Sequence, residues 1–219
     1  GAISISAPTM ALDGGYIGHT VAGMAQRATP PAASSLTISL LGQDASYPSL
    51  PNHSPVAPDI TFLNDPQQTA ADAFSIDANG VPTALRSDRA ETLHLSSDLL
   101  LQSGIGSLTI NNPDGDIIVS AGTTLKAGIG GSITFNGSNI RIDGGVIAAG
   151  GTLNFKANHI PTSVLNAIAN SPAPALPTAS SDRGNFILGE NGVISTAGQL
   201  VDDRLSSAPS EPTTYTVNA

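Results

Sequence analysis

Three short runs of alternating polar and apolar residues constrain the fold of this chain more than any other feature. They are residues 107–110 (Ser-Leu-Thr-Ile), 132–135 (Ser-Ile-Thr-Phe) and 152–155 (Thr-Leu-Asn-Phe). Each run follows a glycine and places apolar residues at its second and fourth positions. A period of two predicts a β-strand that buries one face.

Similar runs lie between these three, so that a longer unit recurs along the chain. The additional runs are residues 116–119, 124–126, 139–142 and 146–148. Equivalent positions are 25, 23 and 22 residues apart: Leu108 and Ile133, Ile117 and Ile140, and Leu125 and Ile147. A repeat of this length with three strands predicts one coil of a solenoid. We therefore predict an all-β fold, a right-handed parallel β-helix with three sides, about 20–25 residues per coil and irregular excursions.

Stacked coils place equivalent side chains over one another. We expect Leu108, Ile133 and Leu153 to form one such row, and Ile110, Phe135 and Phe155 another. The glycine pairs at 130–131, 144–145 and 150–151 are expected at corners, where the backbone turns sharply. Side-chain amides of Asn136, Asn139 and Asn158 are expected to bond neighbouring coils. A two-sheet sandwich is the alternative fold, but it does not require repeats that stay in phase.

The repeat does not extend over the whole chain. Residues 1–28 are interpreted as a coil, with the segment 10–17 following the same pattern. Residues 29–91 are rich in Pro and Ala and predict an excursion, with room for strands at 36–41 and 60–63. Coils return over 92–160, where 92–95 and 99–101 are interpreted as arms, although a helix within 83–103 remains an alternative. A second excursion covers 161–183 and contains a short helix near 164–169. Residues 184–219 are interpreted as a terminal coil, with strands at 185–189 and 193–195, followed by a polar tail.

Composition excludes several classes of partner and site. The net charge is −9, so nucleic acid and anionic lipid would be repelled. The chain contains no Cys, which excludes disulfides, thiolate zinc sites and Cys nucleophiles. No apolar run is long enough for a membrane helix, so the chain is not expected to be embedded in a membrane. Because it opens within a strand pattern and without a signal peptide, we expect a processed or excised segment whose targeting sequence lies elsewhere.

Few residues suggest chemistry. The nearest candidates for a polysaccharide lyase or hydrolase are Asp114, Asp116, Lys126, Arg141 and Asp143, for which corner or surface roles are favoured. The segments 77–80 and 112–116 resemble parts of calcium loops but favour turns. The histidines, which are His19, His53, His94 and His159, lack metal-ligand spacing. We therefore predict no catalytic, cofactor-binding or metal-binding residue, no cofactor and no enzyme activity.

Three blocks of the chain resemble a known family. Residues 1–8 with 12–15, residues 131–157 and residues 186–204 resemble repeat units of filamentous-haemagglutinin-like exoproteins, which are two-partner secretion adhesins. The resemblance covers about half the chain. It implies a β-helical shaft, export through an outer-membrane transporter partner, and adhesion or bacterial competition. The Asn-Pro-Asn motif of the family's secretion domain is absent, since residues 112–115 read Asn-Pro-Asp-Gly.

We accordingly expect a non-catalytic structural or adhesive segment of a large protein, secreted or on the surface of a Gram-negative bacterium. Adjoining coils of the longer parent chain and an unknown receptor or glycan would be its partners. The excursions at 29–82 and 161–183 are the expected contact surfaces. One alternative is a polysaccharide-binding or polysaccharide-cleaving β-helix module of the phage-spike or lyase type. A second alternative is a subunit of an extracellular filament or surface layer.

Overall fold

The computed structural model describes residues 1–20, 32–42, 57–64, 74–170 and 180–198, and most of its regular structure is β-strand. The strands are β1 (Ala2–Ala7), β2 (Ser34–Leu40), β3 (Asp59–Leu63), β4 (Phe74–Ile76), β5 (Pro82–Leu85), β6 (Thr92–Ser96), β7 (Ile105–Asn112), β8 (Ile117–Val119), β9 (Thr124–Ala127), β10 (Ser132–Gly137), β11 (Ile140–Ile142), β12 (Gly145–Ala148), β13 (Thr152–Ala157), β14 (Phe186–Leu188) and β15 (Val193–Ser195). The helices are α1 (Ser87–Glu91), α2 (Leu99–Ser103) and α3 (Thr162–Ala169).

Thirteen of these strands form three parallel sheets. The first sheet has the order β1-β2-β7-β10-β13, the second β14-β11-β8-β3-β6, and the third β15-β12-β9. The last three passes of the chain, β7-β8-β9, β10-β11-β12 and β13-β14-β15, each add one strand to every sheet. The remaining strands, β4 and β5, pair as an antiparallel hairpin. The prediction of an all-β fold built from parallel strands is confirmed.

The predicted rows of apolar side chains are present in the first two sheets. Ile133 pairs with Leu108 on one side and with Leu153 on the other, and Phe135 pairs with Ile110 and Phe155 in the same way. In the second sheet Ile117 pairs with Ile140, as expected from their offset of 23. The predicted glycine pairs also lie between consecutive strands or at the start of one.

The predicted register of the third sheet is wrong by one residue. Leu125 pairs with Val146, whereas the sequence offset had matched it to Ile147. The strand β12 already begins at Gly145, which pairs with Thr124. Alternation from that start turns Val146 inward, where it is fully buried, and leaves Ile147 partly exposed.

A single apolar core joins the three sheets. Inward side chains from all of them belong to one cluster. Aromatic rings connect the first and second sheets through this core: the centroids of Phe62 and Phe135 are 5.5 Å apart, those of Phe135 and Phe155 5.7 Å, and those of Phe155 and Phe186 5.4 Å. Burying a side chain of this size contributes roughly 1.5–3 kcal/mol to folding. The core is therefore the main source of stability.

Glycine precedes β10 and β13 and is the second residue of β7, because the neighbouring pass leaves no room for a side chain at these positions. A β-carbon at Gly151 would overlap the carbonyl oxygen of Gly131, and one at Gly131 would overlap the carbonyl oxygen of Gly106. At Gly106 it would overlap the side chain of Ala33. Gly130 and Gly150 have φ angles of 70° and 61°, a second reason for glycine at these corners.

The segment 29–91 differs from the predicted excursion in the residues that the structure describes. The strands β2 and β3 lie inside the first and second sheets, and their inward residues, including Leu36 and Phe62, are fully buried. The richness of this segment in Pro therefore did not keep β2 and β3 out of the sheets. The helix predicted near 164–169 is confirmed as α3, and the strands predicted at 185–189 and 193–195 are confirmed as β14 and β15.

Two other local predictions are wrong. Residues 99–101 were interpreted as a strand, but Leu99 begins α2, which packs against β7 and β9, so the alternative of a helix within 83–103 is confirmed here. The segment 10–17 contains no strand.

The order of the second sheet also departs from chain order. The strand β6 pairs with the edge of β3 that faces away from β8.

One end of the stack is covered. The segment that follows β1 packs on the core through Met10, Leu12 and Tyr16. An ion pair of 2.6 Å joins Asp13 to Arg89. The backbone N–H of Gly18 donates to the carbonyl of Ser103 at 2.7 Å, which ties the segment to α2. We call this the closed end.

The opposite end is bare in the part of the chain that the structure describes. There β13, β14 and β15 are the last strands of their sheets. Phe186 and Leu188 are 44% and 47% exposed, although the equivalent residues one pass earlier, Ile140 and Ile142, are fully buried. We call this the open end.

Glycine at position 131 is expected to be required for folding stability. Gly131→Ala should lower the free energy of unfolding by about 2 kcal/mol or more, because the backbone carbonyl of Gly106 cannot move away. Gly128→Ala is the matched control, since no atom lies within 4 Å of its β-carbon position. Urea unfolding followed by circular dichroism measures both. Equal stabilities would contradict this account of the corner.

Candidate functional site

A row of acidic and amide side chains runs along the start of the second sheet. The backbone N–H of Asp116 donates to Asp59 Oδ1 at 2.9 Å, and that of Asn139 donates to Asp116 Oδ1 at 3.1 Å. The backbone N–H of Asn185 donates to Asn139 Oδ1 at 3.0 Å. Each pass therefore supplies an oxygen that orients the start of the next strand, and we call these four residues the corner row.

A second row of amides joins passes at the end of the first sheet. Asn136 Nδ2 donates to Asn111 Oδ1 at 2.5 Å, and Asn158 Nδ2 donates to Asn136 Oδ1 at 2.7 Å. The prediction that Asn136, Asn139 and Asn158 bond neighbouring passes is confirmed. These amides carry structure, because each bonded amide contributes to the alignment of two strands.

Asp114 connects the stack to the segment that contains α3. Its buried carboxylate accepts the backbone N–H of Thr162 at 3.0 Å and lies 3.2 Å from Arg183 Nη2. The hydroxyl of Thr162 also donates to it. The segment 112–116 forms a turn, in which the N–H of Gly115 donates to the carbonyl of Asn112 at 3.1 Å. This is the turn that the sequence favoured over a calcium loop.

The candidate catalytic residues do not converge. Asp114 pairs with Arg183, Asp116 belongs to the corner row, and Arg141 bonds Asp143 at 2.6 Å on the surface. Lys126 lies in the third sheet, where it pairs with Ile147. Within the described ranges, no group of three or more His, Cys, Asp or Glu residues is arranged to hold a metal ion.

The segment 77–80 is the turn of the hairpin β4-β5. Asp77 Oδ1 accepts the backbone N–H groups of Asn79 and Val81 at 2.8 and 2.9 Å. These bonds favour the charged carboxylate and lower the pKa of Asp77. The arrangement is that of an Asx turn and presents a charge to solvent rather than to a cavity.

The described histidines lie at separate places. His19 packs on Gly104, and His159 packs on Gly184. His94 lies in β6, where burial and, secondarily, the charge of Arg89 lower its pKa. His53 lies outside the described residues.

A cavity of about 270 Å³ lies at the closed end, between residues 12–16 and α2. Tyr16, His94, Asp98 and Gln102 contribute to its lining. Burial, together with the charge of Asp13, raises the pKa of Tyr16, so its hydroxyl stays protonated over the ordinary pH range. Gln102 Nε2 donates a hydrogen bond to Asp98 Oδ2 at 3.1 Å, so these two side chains of the lining already bond each other.

The outward face of the first sheet is chemically uniform. Its fifteen outward positions hold six serines, four threonines and three asparagines, with Ala2 and Lys156 as the other two. The thirteen polar residues are Ser4, Ser6, Ser35, Thr37, Ser39, Ser107, Thr109, Asn111, Ser132, Thr134, Asn136, Thr152 and Asn154. We call this surface the hydroxyl-amide face. A groove of about 450 Å³ crosses it from β2 to β13.

The hydroxyl-amide face was not predicted as a unit. Its two halves were placed in different regions, because β2 was assigned to an excursion. The signal was nevertheless present in residues 34–40 (Ser-Ser-Leu-Thr-Ile-Ser-Leu), which alternate as the later runs do. No sequence pattern indicated the ion pair between Asp114 and Arg183, which are 69 residues apart.

Comparison with known proteins identifies no relative. The chain matches no protein-family model, no curated protein and no solved structure. Among the described residues, none of the helices has the length and apolar character needed to span a membrane. Interpretation of the site therefore depends on its geometry.

Asp59 is expected to destabilise the fold at neutral pH. Burial raises its pKa and the charge of Asp116 adds to this, against the opposing hydrogen bond from the Asp116 backbone. Because the folded-state pKa is raised, protonation stabilises the fold at low pH, and this stabilisation is lost as pH rises through the folded pKa. Asp59→Asn should therefore raise the free energy of unfolding at pH 7, with the gain shrinking toward acid pH.

Asp77→Asn is the matched control for this measurement. The pKa of Asp77 is lowered in the folded chain, so its charge stabilises the fold above the unfolded pKa and less as pH falls. Urea unfolding between pH 3 and 8 should therefore give opposite pH trends for the two variants. A gain from Asp59→Asn that does not vary with pH would rule out the proposed charge effect.

Proposed function

We propose that this chain is a non-catalytic shaft segment of a large secreted or cell-surface bacterial protein of the filamentous-haemagglutinin-like type. In this proposal the three sheets are the sides of a right-handed parallel β-helix that holds binding surfaces away from the cell. The observation that supports it best is that three consecutive passes add one strand each to the same three sheets.

A stack of this kind suits a mechanical role. Each of the last three passes bonds its neighbours through backbone hydrogen bonds in all three sheets, and inward residues such as Ile133 and Phe135 are fully buried between passes. Length then increases by about 4.8 Å for each pass of roughly 20 residues. A rod built in this way needs neither a disulfide nor a metal ion for stiffness, which agrees with the absence of Cys.

The open end supports the proposal that adjoining coils of a longer parent chain continue the stack. Phe186 and Leu188 are exposed there, and apolar patches on strand edges favour pairing. Asn185 is the last described member of the corner row, and its backbone N–H and Nδ2 both donate to Asn139 Oδ1. A further coil would cover the apolar residues and extend this row.

The open end also favours a second candidate function, a subunit of an extracellular filament. A second copy, rather than the parent chain, would then cover these strands. The polysaccharide-cleaving alternative receives less support, since the carboxylates of Asp114 and Asp143 are paired with arginines at different places. Export through an outer-membrane transporter to the surface of a Gram-negative bacterium is part of the first proposal.

Duplication of one coil tests the shaft. A copy of residues 131–150 inserted between Gly150 and Gly151 should fold, because its strands repeat the pairing partners of β13, β14 and β15. We expect cooperative unfolding, a higher free energy of unfolding than a shuffled insertion of equal length gives, and an increase of about 4.8 Å in length by small-angle X-ray scattering. Any insertion here separates Asp114 from Thr162 and Arg183 by one pass, so this loss is common to both variants.

The control for this experiment is the same twenty residues inserted in shuffled order at the same place. The shuffled insertion keeps composition and length but breaks the alternation, so it should lower stability. If the duplicate and the shuffled insertion lower stability equally, the repeated-coil proposal is wrong.

Export tests the second part of the proposal. The chain is fused behind the secretion domain of a two-partner exoprotein and expressed in a Gram-negative host with and without the cognate transporter. We expect the fusion in the medium or on the cell surface only when the transporter is present. Periplasmic retention of the fusion, under conditions in which the secretion domain alone is exported, would contradict it.

A further inference from the structure

Strand stability explains only part of the hydroxyl-amide face. Asn111 and Asn136 bond neighbouring passes, but Ser and Asn, which are not among the residues favoured in strands, occupy seven further outward positions of the fifteen in the first sheet. The other two sheets do not share this composition. Their outward positions include Ile118 and Arg141, which pair with each other, and Ile147.

The threonine hydroxyls at the centre of this face are available to a ligand. Thr109 pairs with Thr37 and with Thr134, so the three form a row across β2, β7 and β10. All three are half-buried. Within the described residues, no protein group accepts or donates a hydrogen bond at these hydroxyls. The row therefore presents three donors and three acceptors outward.

A groove accompanies these groups. Its volume is about 450 Å³, and its lining combines the threonine row and Asn154 with the parallel row of Ser39, Asn111, Asn136 and Lys156. The groove crosses four strands, so equivalent side chains recur at intervals of about 4.8 Å along it. Such a repeat suits a ligand that is itself extended and periodic.

The chemistry of the lining selects among extended ligands. No carboxylate lines the groove, and Lys156 at one end is its single charged residue among those described. The net charge of −9 opposes a polyanion, while hydroxyl and amide groups match a ligand rich in hydroxyl groups. Threonine methyl groups add small apolar surfaces on which the C–H groups of a sugar ring can pack.

We propose that the hydroxyl-amide face binds a neutral polysaccharide chain in this groove, lying across the strands of the first sheet. The proposal names the ligand class for the adhesive role proposed above and rests on that role. Binding is non-covalent and changes no bond. A single site of this kind is weak, and repetition along a polysaccharide would raise the overall affinity.

The test is native affinity electrophoresis of the full chain in gels that contain neutral polysaccharides, namely dextran, hydroxyethylcellulose, galactomannan and glycogen. We expect at least one of them to retard the chain. The variant Thr109→Val/Thr134→Val removes two hydroxyls but keeps the side-chain shape and favours strands, so it should fold. Its apparent affinity should fall about tenfold or more.

Thr61→Val is the matched control, because Thr61 lies on the second sheet and pairs with Ile118, away from the groove. Its retardation should equal that of the unmodified chain. The proposal is overturned if no neutral polysaccharide retards the chain, or if the double variant is retarded as strongly as the control. Circular dichroism shows whether the variants fold, and the coil-duplication result is independent of both outcomes. Failure of glycan binding is thus distinguishable from failure of the shaft.

Discussion

Parallel pairing of equivalent residues in successive passes is the interaction on which the rest of this structure depends. Because Leu108, Ile133 and Leu153 meet in one register, their side chains enter the same core and their backbones bond along the same line. A slip of one residue would turn every apolar side chain outward. The glycines before the strands protect this register, since the carbonyl of one pass occupies the space that a side chain of the next would need.

The same register organises the polar groups. Once the apolar residues stack, outward residues must stack as well, and the corner row and the hydroxyl-amide face both follow from that geometry. The corner row uses its oxygens within the protein, as between Asn139 and Asn185. The hydroxyls of the threonine row instead face solvent. The difference separates a structural row from a surface that is free to contact a ligand, and it places the proposed binding surface on the sheet rather than on loops.

Local sequence patterns predicted the parts of this fold that depend on neighbouring passes of similar length. The rows containing Phe135 and Ile140, and the amide of Asn158, followed from period and offset alone. The position of β6 could not be predicted in this way. It pairs with β3 because the hairpin and α1, which lie between them in sequence, bring the chain back to the free edge of that strand. Two further errors have local causes: Leu99 begins a helix that fills the place of a strand beside β9, and β12 begins one residue before the alternation counted from sequence. The ion pair of Asp114 and Arg183 depends on a distant segment and has no local signature.

The difference between the closed and the open end gives the molecule a direction. At the closed end Met10 and Tyr16 cover the core, and Arg89 and Ser103 hold their segment in place, so this surface is complete only after α2 has appeared. Each pass from β7 onward can then use the edge of the preceding one as a template, at a small entropic cost because the partner strand is already ordered. We therefore expect the last three passes to add in chain order toward the open end, where the newest edge is the one exposed to unwanted association.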